Sequence, residues 1–385
     1  MARVRPIRHS LSAASDVRII FAGGGTGGHL YPGLAIARAL VALDPRIAPF
    51  FVGARRGIEK EILPGTGFPH ELLDLHPLYR SNPWSNWRTV RGCMTAWRRL
   101  GEIVDGERPA CFVGTGGYAS GVALGFAAMH GIPYVIQEQN SYPGLTTRVF
   151  SRRARQVHNG FPEAADHLSP GRDTVLFNSG NPIEPPPVPL PDKAAARVAW
   201  GFPAEGGKVM LVYGGSQGSR AINDVVARWV ADALPPALHV IWATGQKTHS
   251  DYAALESDRV RIRPYLSPVT EAYAATDFAL SRGGAIATAE LCAWGIPPIV
   301  VPLPTAAADH QTANARALAA AGVAELILQS ELTVERLTAS VSALTDDHAL
   351  LRERANAARL RARPNAAADI ALNIQFLIEA GRRRD

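Results

Sequence analysis

The sequence predicts an α/β protein with two doubly wound parallel sheets, one in each half of the chain. Its 385 residues are 47% hydrophobic, which is enough for two domains with their own cores. A unit of strand, glycine-rich loop and helix occurs at residues 17–40 and begins again at residues 208–220. The segment 184–191 (EPPPVPLP) separates the two units, because its prolines suit neither a helix nor a central strand.

We therefore divide the chain into four parts. Residues 1–16 lack the apolar stretch of a signal peptide and are expected to be a frayed extension. Residues 17–184 form the first domain and residues 185–363 the second, while residues 364–385 carry an amphipathic helical pattern that needs a surface to cover. The strands expected in the second domain after the repeated unit are residues 239–244, 260–263, 277–281 and 298–301.

Charge and cysteine content limit the function classes. The net charge of +6 suits an acidic ligand or an anionic lipid surface and is not by itself typical of nucleic-acid binding. The three cysteines are odd in number and form no CxxC pair, which argues against a disulfide framework or a zinc ribbon and favours a reducing cytosol. The longest uncharged stretch, residues 111–137, contains six glycines and is poor material for a membrane span.

The first glycine-rich loop, residues 23–29 (GGGTGGH), predicts a site for an anion. Its backbone N–H groups are unshielded at the positive end of the following helix, which favours a diphosphate. It lacks the Lys-Ser/Thr of a Walker loop and the spacing of a dinucleotide fold, so a tight turn remains the alternative. His29 closes the loop where a general base belongs, although a structural histidine is the other interpretation.

Two further loops place polar groups beyond strand ends in the first half. Residues 116–121 (GGYASG) and residues 138–140 (EQN) each follow an apolar strand. Such groups usually line the crevice of an α/β sheet, although either loop alone could be simple turn chemistry.

In the second half, residues 282–290 (RGGAIATAE) join a strand to a helix. The carboxylate of Glu290 can accept hydrogen bonds from two vicinal hydroxyls, such as those of a ribose. Compensation of the helix dipole is the alternative role for this residue. One loop further along the chain, Gln311 offers its amide to sugar hydroxyls.

Residues 84–99 predict an amphipathic helix with an aromatic face. Trp84, Trp87, Val90, Met94 and Trp97 are spaced along one face, and four arginines flank them. Tryptophans beside arginines are typical of a helix that binds an anionic lipid interface. The alternative is an ordinary core face with a solvated basic back.

Six motifs in this order resemble the lipid-linked N-acetylglucosaminyltransferases of peptidoglycan synthesis, in glycosyltransferase family 28. The resemblance extends from residue 17 to the last helix, and it implies a GT-B fold, in which two Rossmann-like domains face each other across a cleft. It also implies that the acceptor and the membrane bind to the first domain, that the UDP-sugar binds mainly to the second, and that the final helix packs back on the first. The motifs are residues 24–29, 116–118, 138–140, 180–182, 214–218 and 282–285.

The resemblance implies an inverting transfer of N-acetylglucosamine from UDP-GlcNAc to the C4 hydroxyl of undecaprenyl-linked lipid I, which forms lipid II. It implies peripheral binding to the anionic cytoplasmic face of the bacterial cell membrane, with no metal, cofactor or nucleic acid. His29 is the expected catalytic base. The expected substrate-binding residues are Thr26, Gly27, Gly28, Tyr118, Glu138, Asn140, Ser216, Leu266, Arg282, Ala285, Ile286, Ala287, Thr288, Ala289, Glu290 and Gln311. The expected membrane-binding residues are Trp84, Trp87, Arg88, Arg91 and Trp97.

Two departures from the family pattern change these expectations. Gln137 stands where the family often has a histidine, which shifts the base role toward His29. Glu184 stands where the family often has a basic residue, so no phosphate contact is expected there. Three alternatives stay open: a UDP-sugar transferase for another lipid acceptor, a UDP-sugar epimerase of similar architecture, and a non-catalytic lipid- or nucleotide-binding module.

Overall fold

The structure, a computed structural model, describes residues 17–76, 86–215 and 217–383. The extension 1–16, Trp84, Ser216 and the side chain of Arg88 lie outside the described residues. The described chain forms two parallel sheets flanked by helices, which confirms the predicted fold class.

The first sheet has seven parallel strands. They are β1 (Val17–Ala22), β2 (Ile47–Ala54), β3 (His70–Leu73), β4 (Cys111–Gly114), β5 (Tyr134–Glu138), β6 (Gln156–Asn159) and β7 (Val175–Phe177). Its helices are α1 (Gly27–Leu43), α2 (Glu59–Ile62), α3 (Asn86–Gly106), α4 (Gly117–Met129) and α5 (Leu145–Phe150). The spatial order β3-β2-β1-β4-β5-β6-β7 reverses direction between β1 and β4. Ligands of such sheets bind beyond the carboxyl ends of the strands at this switch point, where both glycine loops of the first domain lie.

The second sheet has six parallel strands. They are β8 (Lys208–Tyr213), β9 (Leu238–Ala243), β10 (Val260–Arg263), β11 (Phe278–Ser281), β12 (Pro298–Val300) and β13 (Glu325–Leu326), in the order β10-β9-β8-β11-β12-β13. Its helices are α6 (Lys193–Ala199), α7 (Arg220–Asp232), α8 (His249–Tyr252), α9 (Thr270–Ala275), α10 (Ala285–Trp294), α11 (His310–Ala320), α12 (Val334–Asp346) and α13 (His348–Arg361). The four strands expected from the sequence are β9, β10, β11 and β12, with bounds that differ by a residue at most. The switch point lies between β8 and β11.

The first glycine loop is shorter than its sequence indicated. Helix α1 begins at Gly27, because Thr26 takes the extended backbone of an N-cap residue. His29 is therefore the third residue of α1 and not a loop residue.

The last helix, α14 (Ala366–Arg382), packs against α1. Its apolar stripe, which includes Ile370 and Ile374, is buried in the same core cluster as Leu34 and Leu40 of α1. Gln156 of β6 adds a hydrogen bond from its amide to the Asn373 carbonyl at 2.8 Å. The surface that this helix covers is thus a face of the first sheet.

Candidate active site

A buried carboxylate organises the first glycine loop. Glu59 is completely buried, and its Oε1 accepts hydrogen bonds from the backbone N–H groups of Gly25 and Ala54, both at 3.0 Å. A Cβ at Gly24 would overlap this carboxylate, which explains the glycine. No motif in the sequence pointed to Glu59. Because it occupies the Gly25 N–H group, that group is not free for a phosphate.

The N–H groups that remain open near this loop lie at the start of α1. The first N–H groups of a helix have no intrahelical partner, and this 17-residue helix adds its dipole. Thr26 and Gly28 are exposed there, and Gly27 is partly exposed. The structure thus leaves residues 26–28 open to an anionic ligand.

His29 is held between the two glycine loops of the first domain. Its Nδ1 lies 3.0 Å from Gln139 Oε1, and its carbonyl accepts a hydrogen bond from Thr115 Oγ1 at 2.7 Å. Gly116 has a φ of 104°, and a Cβ there would lie 2.6 Å from His29 Nδ1. Only glycine therefore allows the second loop to approach the imidazole this closely. Tyr118 lies on the same side, with its ring beside Gly25.

Glu138 has a different role from the expected substrate contact. It is buried, and it accepts hydrogen bonds from the Asn140 and Gly144 N–H groups, both at 3.0 Å, and from Thr147 Oγ1 at 2.6 Å. Both carboxylate oxygens are used within its own loop. Because such a carboxylate has little capacity left for a ligand, the structure favours a role for Glu138 in ordering this loop.

Asn314 joins the two domains beside this loop. Its side chain is completely buried, and its Oδ1 accepts a hydrogen bond from the Ser141 N–H group at 2.8 Å. Its Nδ2 donates to Asn140 Oδ1 and to the Gly283 carbonyl, both at 3.1 Å. The Asn140 side chain is thus hydrogen-bonded across this contact between the two domains, which we call the domain seam. Asn314 stands three positions after Gln311, and that spacing on α11 was the available signal for it.

The second domain presents a helix start and a free amide at the same seam. Helix α10 begins at Ala285, and the Ala285 carbonyl accepts a hydrogen bond from Asn181 Nδ2 at 3.4 Å. Gln311 Oε1 accepts from the Leu303 N–H group at 3.0 Å. Within the described ranges the Gln311 Nε2 group has no hydrogen-bond partner, so it can donate to a ligand.

Arg282 and Thr288 do not have the geometry of direct ligand contacts. The Arg282 guanidinium is buried and donates to the Val301 and Pro302 carbonyls at 3.1 and 2.9 Å, and to Ser219 Oγ at 2.7 Å. Burial lowers the pKa of Arg282. The hydroxyl of Thr288 donates back to carbonyls of its own helix. The Arg282 side chain thus connects neighbouring loops and the Thr288 hydroxyl bonds to the start of its own helix, which differs from the expected substrate contacts.

Glu290 lies in the second turn of α10 beside two tyrosines. Tyr273 donates its hydroxyl to Glu290 Oε2 at 2.9 Å, and Oε1 has no partner among the described side chains and backbone groups. Burial raises the pKa of Glu290, the Tyr273 hydrogen bond opposes this rise, and the nearby Glu184 carboxylate adds to it. Leu266 is buried in the same apolar cluster as Tyr213 and Tyr273. One carboxylate oxygen of Glu290 is therefore left without a partner among the described groups.

The aromatic face of α3 is divided between solvent and core. Trp87, Val90 and Met94 are 58%, 59% and 69% exposed. Trp97 instead packs edge-on against Phe126, with 5.2 Å between ring centroids. Trp97 is therefore partly buried against α4, and its expected membrane contact stays a prediction.

The described residues hold no cluster of three or more histidine, cysteine or acidic side chains that could bind a metal ion. Among their helices, none is long and apolar enough to cross a membrane.

Family models match both halves of the chain. The model of the glycosyltransferase family 28 N-terminal domain matches residues 19–159, and that of the C-terminal domain matches residues 209–371. Among solved structures, MurG of Acinetobacter baumannii has a TM-score of 0.74 at 27% identity, over 94% of this chain and 99% of that one. A putative UDP-N-acetylglucosamine 2-epimerase of Listeria monocytogenes, at 12% identity and a TM-score of 0.63, is similar in fold.

The chain is also similar to other proteins over nearly its full length. One from Salinibacter ruber is 39% identical over 371 residues, 94% of this chain and 98% of its own length. It is named UDP-N-acetylglucosamine–N-acetylmuramyl-(pentapeptide) pyrophosphoryl-undecaprenol N-acetylglucosamine transferase. A relative of the same name from Prosthecochloris aestuarii is 36% identical over 94% of this chain and 99% of its own length. With both of its domain models matched and relatives of this identity, the chain belongs to glycosyltransferase family 28.

Proposed function

We propose that this protein transfers N-acetylglucosamine from UDP-GlcNAc to the C4 hydroxyl of lipid I, the undecaprenyl-linked N-acetylmuramyl-pentapeptide diphosphate. The full-length relatives support this substrate pair by their names. The observation that carries the proposal is the domain seam. It joins the loop that contacts His29 to the start of α10, through Asn181 and Asn314. A base and an anion-binding helix end therefore border one cleft.

His29 and the start of α10 have separate roles in this reaction. The acceptor O4 attacks the anomeric carbon of N-acetylglucosamine, and its proton moves to His29 Nε2. The bond from the anomeric carbon to the diphosphate oxygen breaks, and its electron pair leaves with UDP. The unpaired N–H groups at the start of α10 stabilise the charge that develops on the diphosphate. Attack opposite the leaving group inverts the anomeric configuration.

The remaining substrate contacts are divided between the two domains that border the cleft. Glu290 holds the ribose, the loop that contains Leu266 borders the uracil, and the Gln311 amide binds a sugar hydroxyl. The open N–H groups of residues 285–287 bind the phosphates at the first turn of α10. In the first domain, the N–H groups of residues 26–28 bind the diphosphate of the acceptor, with Tyr118 beside them.

A transfer assay tests this function against its rivals. Full-length protein is incubated with UDP-GlcNAc and a lipid I analogue, and both UDP release and the disaccharide product are measured. The 4-deoxy acceptor is the matched control, because it lacks the attacking hydroxyl. We expect product with the first acceptor and none with the second. A C2 epimer formed without acceptor would favour the epimerase, and binding of UDP-GlcNAc without turnover would favour a binding module.

We also propose that α3 holds the protein on the cytoplasmic face of the cell membrane. The exposed Trp87, Val90 and Met94 offer an apolar surface, and the exposed Arg91 and Arg98 lie beside them. Such a surface is typical of helices that enter a lipid interface.

Charge reversal tests the membrane surface. Each arginine near an acidic bilayer contributes about 1 kcal/mol, so Arg91→Glu with Arg98→Glu is expected to weaken binding to anionic vesicles by roughly tenfold or more. Vesicle sedimentation measures this. The pair Arg228→Glu and Arg352→Glu, two exposed arginines of the second domain, is the control with equal charge. Equal losses for both pairs would mean that α3 has no special role.

A further inference from the structure

We propose that Gln139 is a positioning residue that sets the tautomer of His29. It keeps the imidazole proton on Nδ1 and leaves Nε2 as the basic nitrogen. The catalytic consequence rests on the proposed function, whereas the tautomer itself does not.

The orientation of the Gln139 amide is fixed by its buried surroundings. Gln139 is 3% exposed, and its Nε2 donates to the Thr115 carbonyl at 2.8 Å and to the Gln137 carbonyl at 3.1 Å. It also donates to the side-chain oxygen of Gln137. A flipped amide would place its oxygen against these three acceptors. The Oε1 atom must therefore point toward His29.

This orientation determines which imidazole nitrogen carries the proton. An amide oxygen only accepts hydrogen bonds, so the 3.0 Å contact requires an N–H group at His29 Nδ1. A neutral imidazole has a single N–H group, which leaves Nε2 with its lone pair. Nε2 has no hydrogen-bond partner in the described part of the chain, and it is not among the buried polar atoms that lack one. It is therefore accessible to the acceptor hydroxyl.

Two more buried amides hold Gln139 in place. Gln137 Nε2 donates to the Glu138 carbonyl at 3.2 Å and to Asn181 Oδ1 at 3.3 Å, which turns the Gln137 oxygen toward Gln139. Asn181 Nδ2 donates in turn to the Gln139 carbonyl at 3.0 Å and to the Ala285 carbonyl at 3.4 Å. Gln137 therefore helps to fix the orientation of Gln139. Its amide nitrogen donates to other groups, while its side-chain oxygen accepts from Gln139 Nε2.

The Gln139 amide can keep its hydrogen bond to His29 throughout the proposed transfer. When His29 takes the hydroxyl proton, Nδ1 continues to donate to Gln139 Oε1. The same oxygen therefore accepts from Nδ1 before and after the proton transfer, so the imidazole ring need not reorient during the reaction.

Nitrogen-15 NMR of the full-length protein, labelled at histidine, tests this proposal. The His29 signals are assigned by comparison with His29→Gln. We expect the Nδ1–H tautomer in the parent protein and a shift toward Nε2–H in Gln139→Leu, with at least tenfold lower kcat and an unchanged KM for UDP-GlcNAc. In Gln139→Glu the protonated carboxyl keeps an oxygen opposite Nδ1 and an O–H donor toward the Thr115 and Gln137 carbonyls, so it should restore the tautomer and part of kcat. Thr115→Val removes a neighbouring hydroxyl but leaves Gln139 in place, so the tautomer should not change.

Two results would overturn the proposal. One is an Nε2–H tautomer in the parent protein, and the other is a Gln139→Leu variant with the parent tautomer and kcat. If Gln139→Leu does not fold, the parent spectrum and the Gln139→Glu variant still decide. Absence of transfer by the parent protein would instead refute the proposed function, while its NMR spectrum would still report the tautomer.

Discussion

His29→Ala is expected to lower kcat by about 10²–10⁴-fold, because a general base contributes this much to a proton-transfer step. UDP-GlcNAc affinity should stay nearly unchanged, since the imidazole contacts Gln139 in the first domain and the proposed donor contacts lie in the second. Steady-state rates with the lipid I analogue give kcat, and calorimetry with UDP-GlcNAc gives the affinity. The two measurements together separate loss of chemistry from loss of the donor site.

A second histidine provides the control for this change. His348 is exposed at the start of α13, so His348→Ala should retain the turnover of the parent protein. A His29→Ala variant that turns over as fast as His348→Ala would exclude His29 as the base.

Glu290→Ala is expected to weaken UDP-GlcNAc binding by about ten- to a hundredfold. Hydrogen bonds to a charged group are worth about 1.5–3 kcal/mol each, and the free oxygen of Glu290 can accept from the ribose. Glu290→Gln keeps one acceptor oxygen and should be intermediate. Calorimetry with UDP-GlcNAc and with its 2′-deoxyribose analogue measures the effect. The parent should distinguish the two ligands and Glu290→Ala should not, so a parent that binds both equally would leave Glu290 only a helix-dipole role.

The same site predicts a pH dependence of binding. Burial and the Glu184 carboxylate raise the pKa of Glu290 in the free protein, so its carboxyl protonates at a higher pH than usual. Ribose hydroxyls donate to the ionised form and stabilise it. UDP-GlcNAc affinity should therefore rise as the pH increases through this raised pKa, with proton release on binding. In Glu290→Gln this rise should disappear.

Local sequence signals predicted the sheets and the loops that border the cleft. Apolar strands followed by glycines mark β1 and β8, and the switch point of each sheet places that loop beside the loop after β4 or β11. The partners that organise the loops could not be predicted in this way. Glu59 contacts Gly25 over 34 positions, Gln139 contacts His29 over 110, and Asn314 contacts Ser141 over 173. Such pairings depend on the finished topology and leave no short-range pattern.

Motif membership also does not show where a side chain points. Glu138 and Arg282 belong to motifs that border the cleft, yet their charged groups bond to backbone and side-chain atoms of the loops around them. Trp97 lies on the same predicted helical face as Trp87, but Trp97 packs against Phe126 of α4 while Trp87 is 58% exposed. The helical period gives the face, and the neighbouring helix decides how much of that face is buried.

The anomeric configuration of the product tests the central claim most directly. The disaccharide formed from UDP-GlcNAc and the lipid I analogue is isolated, and NMR determines its linkage. Because a single displacement assisted by His29 inverts the α-linked donor, we predict a β-linkage to O4 of the acceptor sugar. An α-linkage, another attachment position, or free N-acetylglucosamine as the main product would contradict base-assisted inverting transfer to C4.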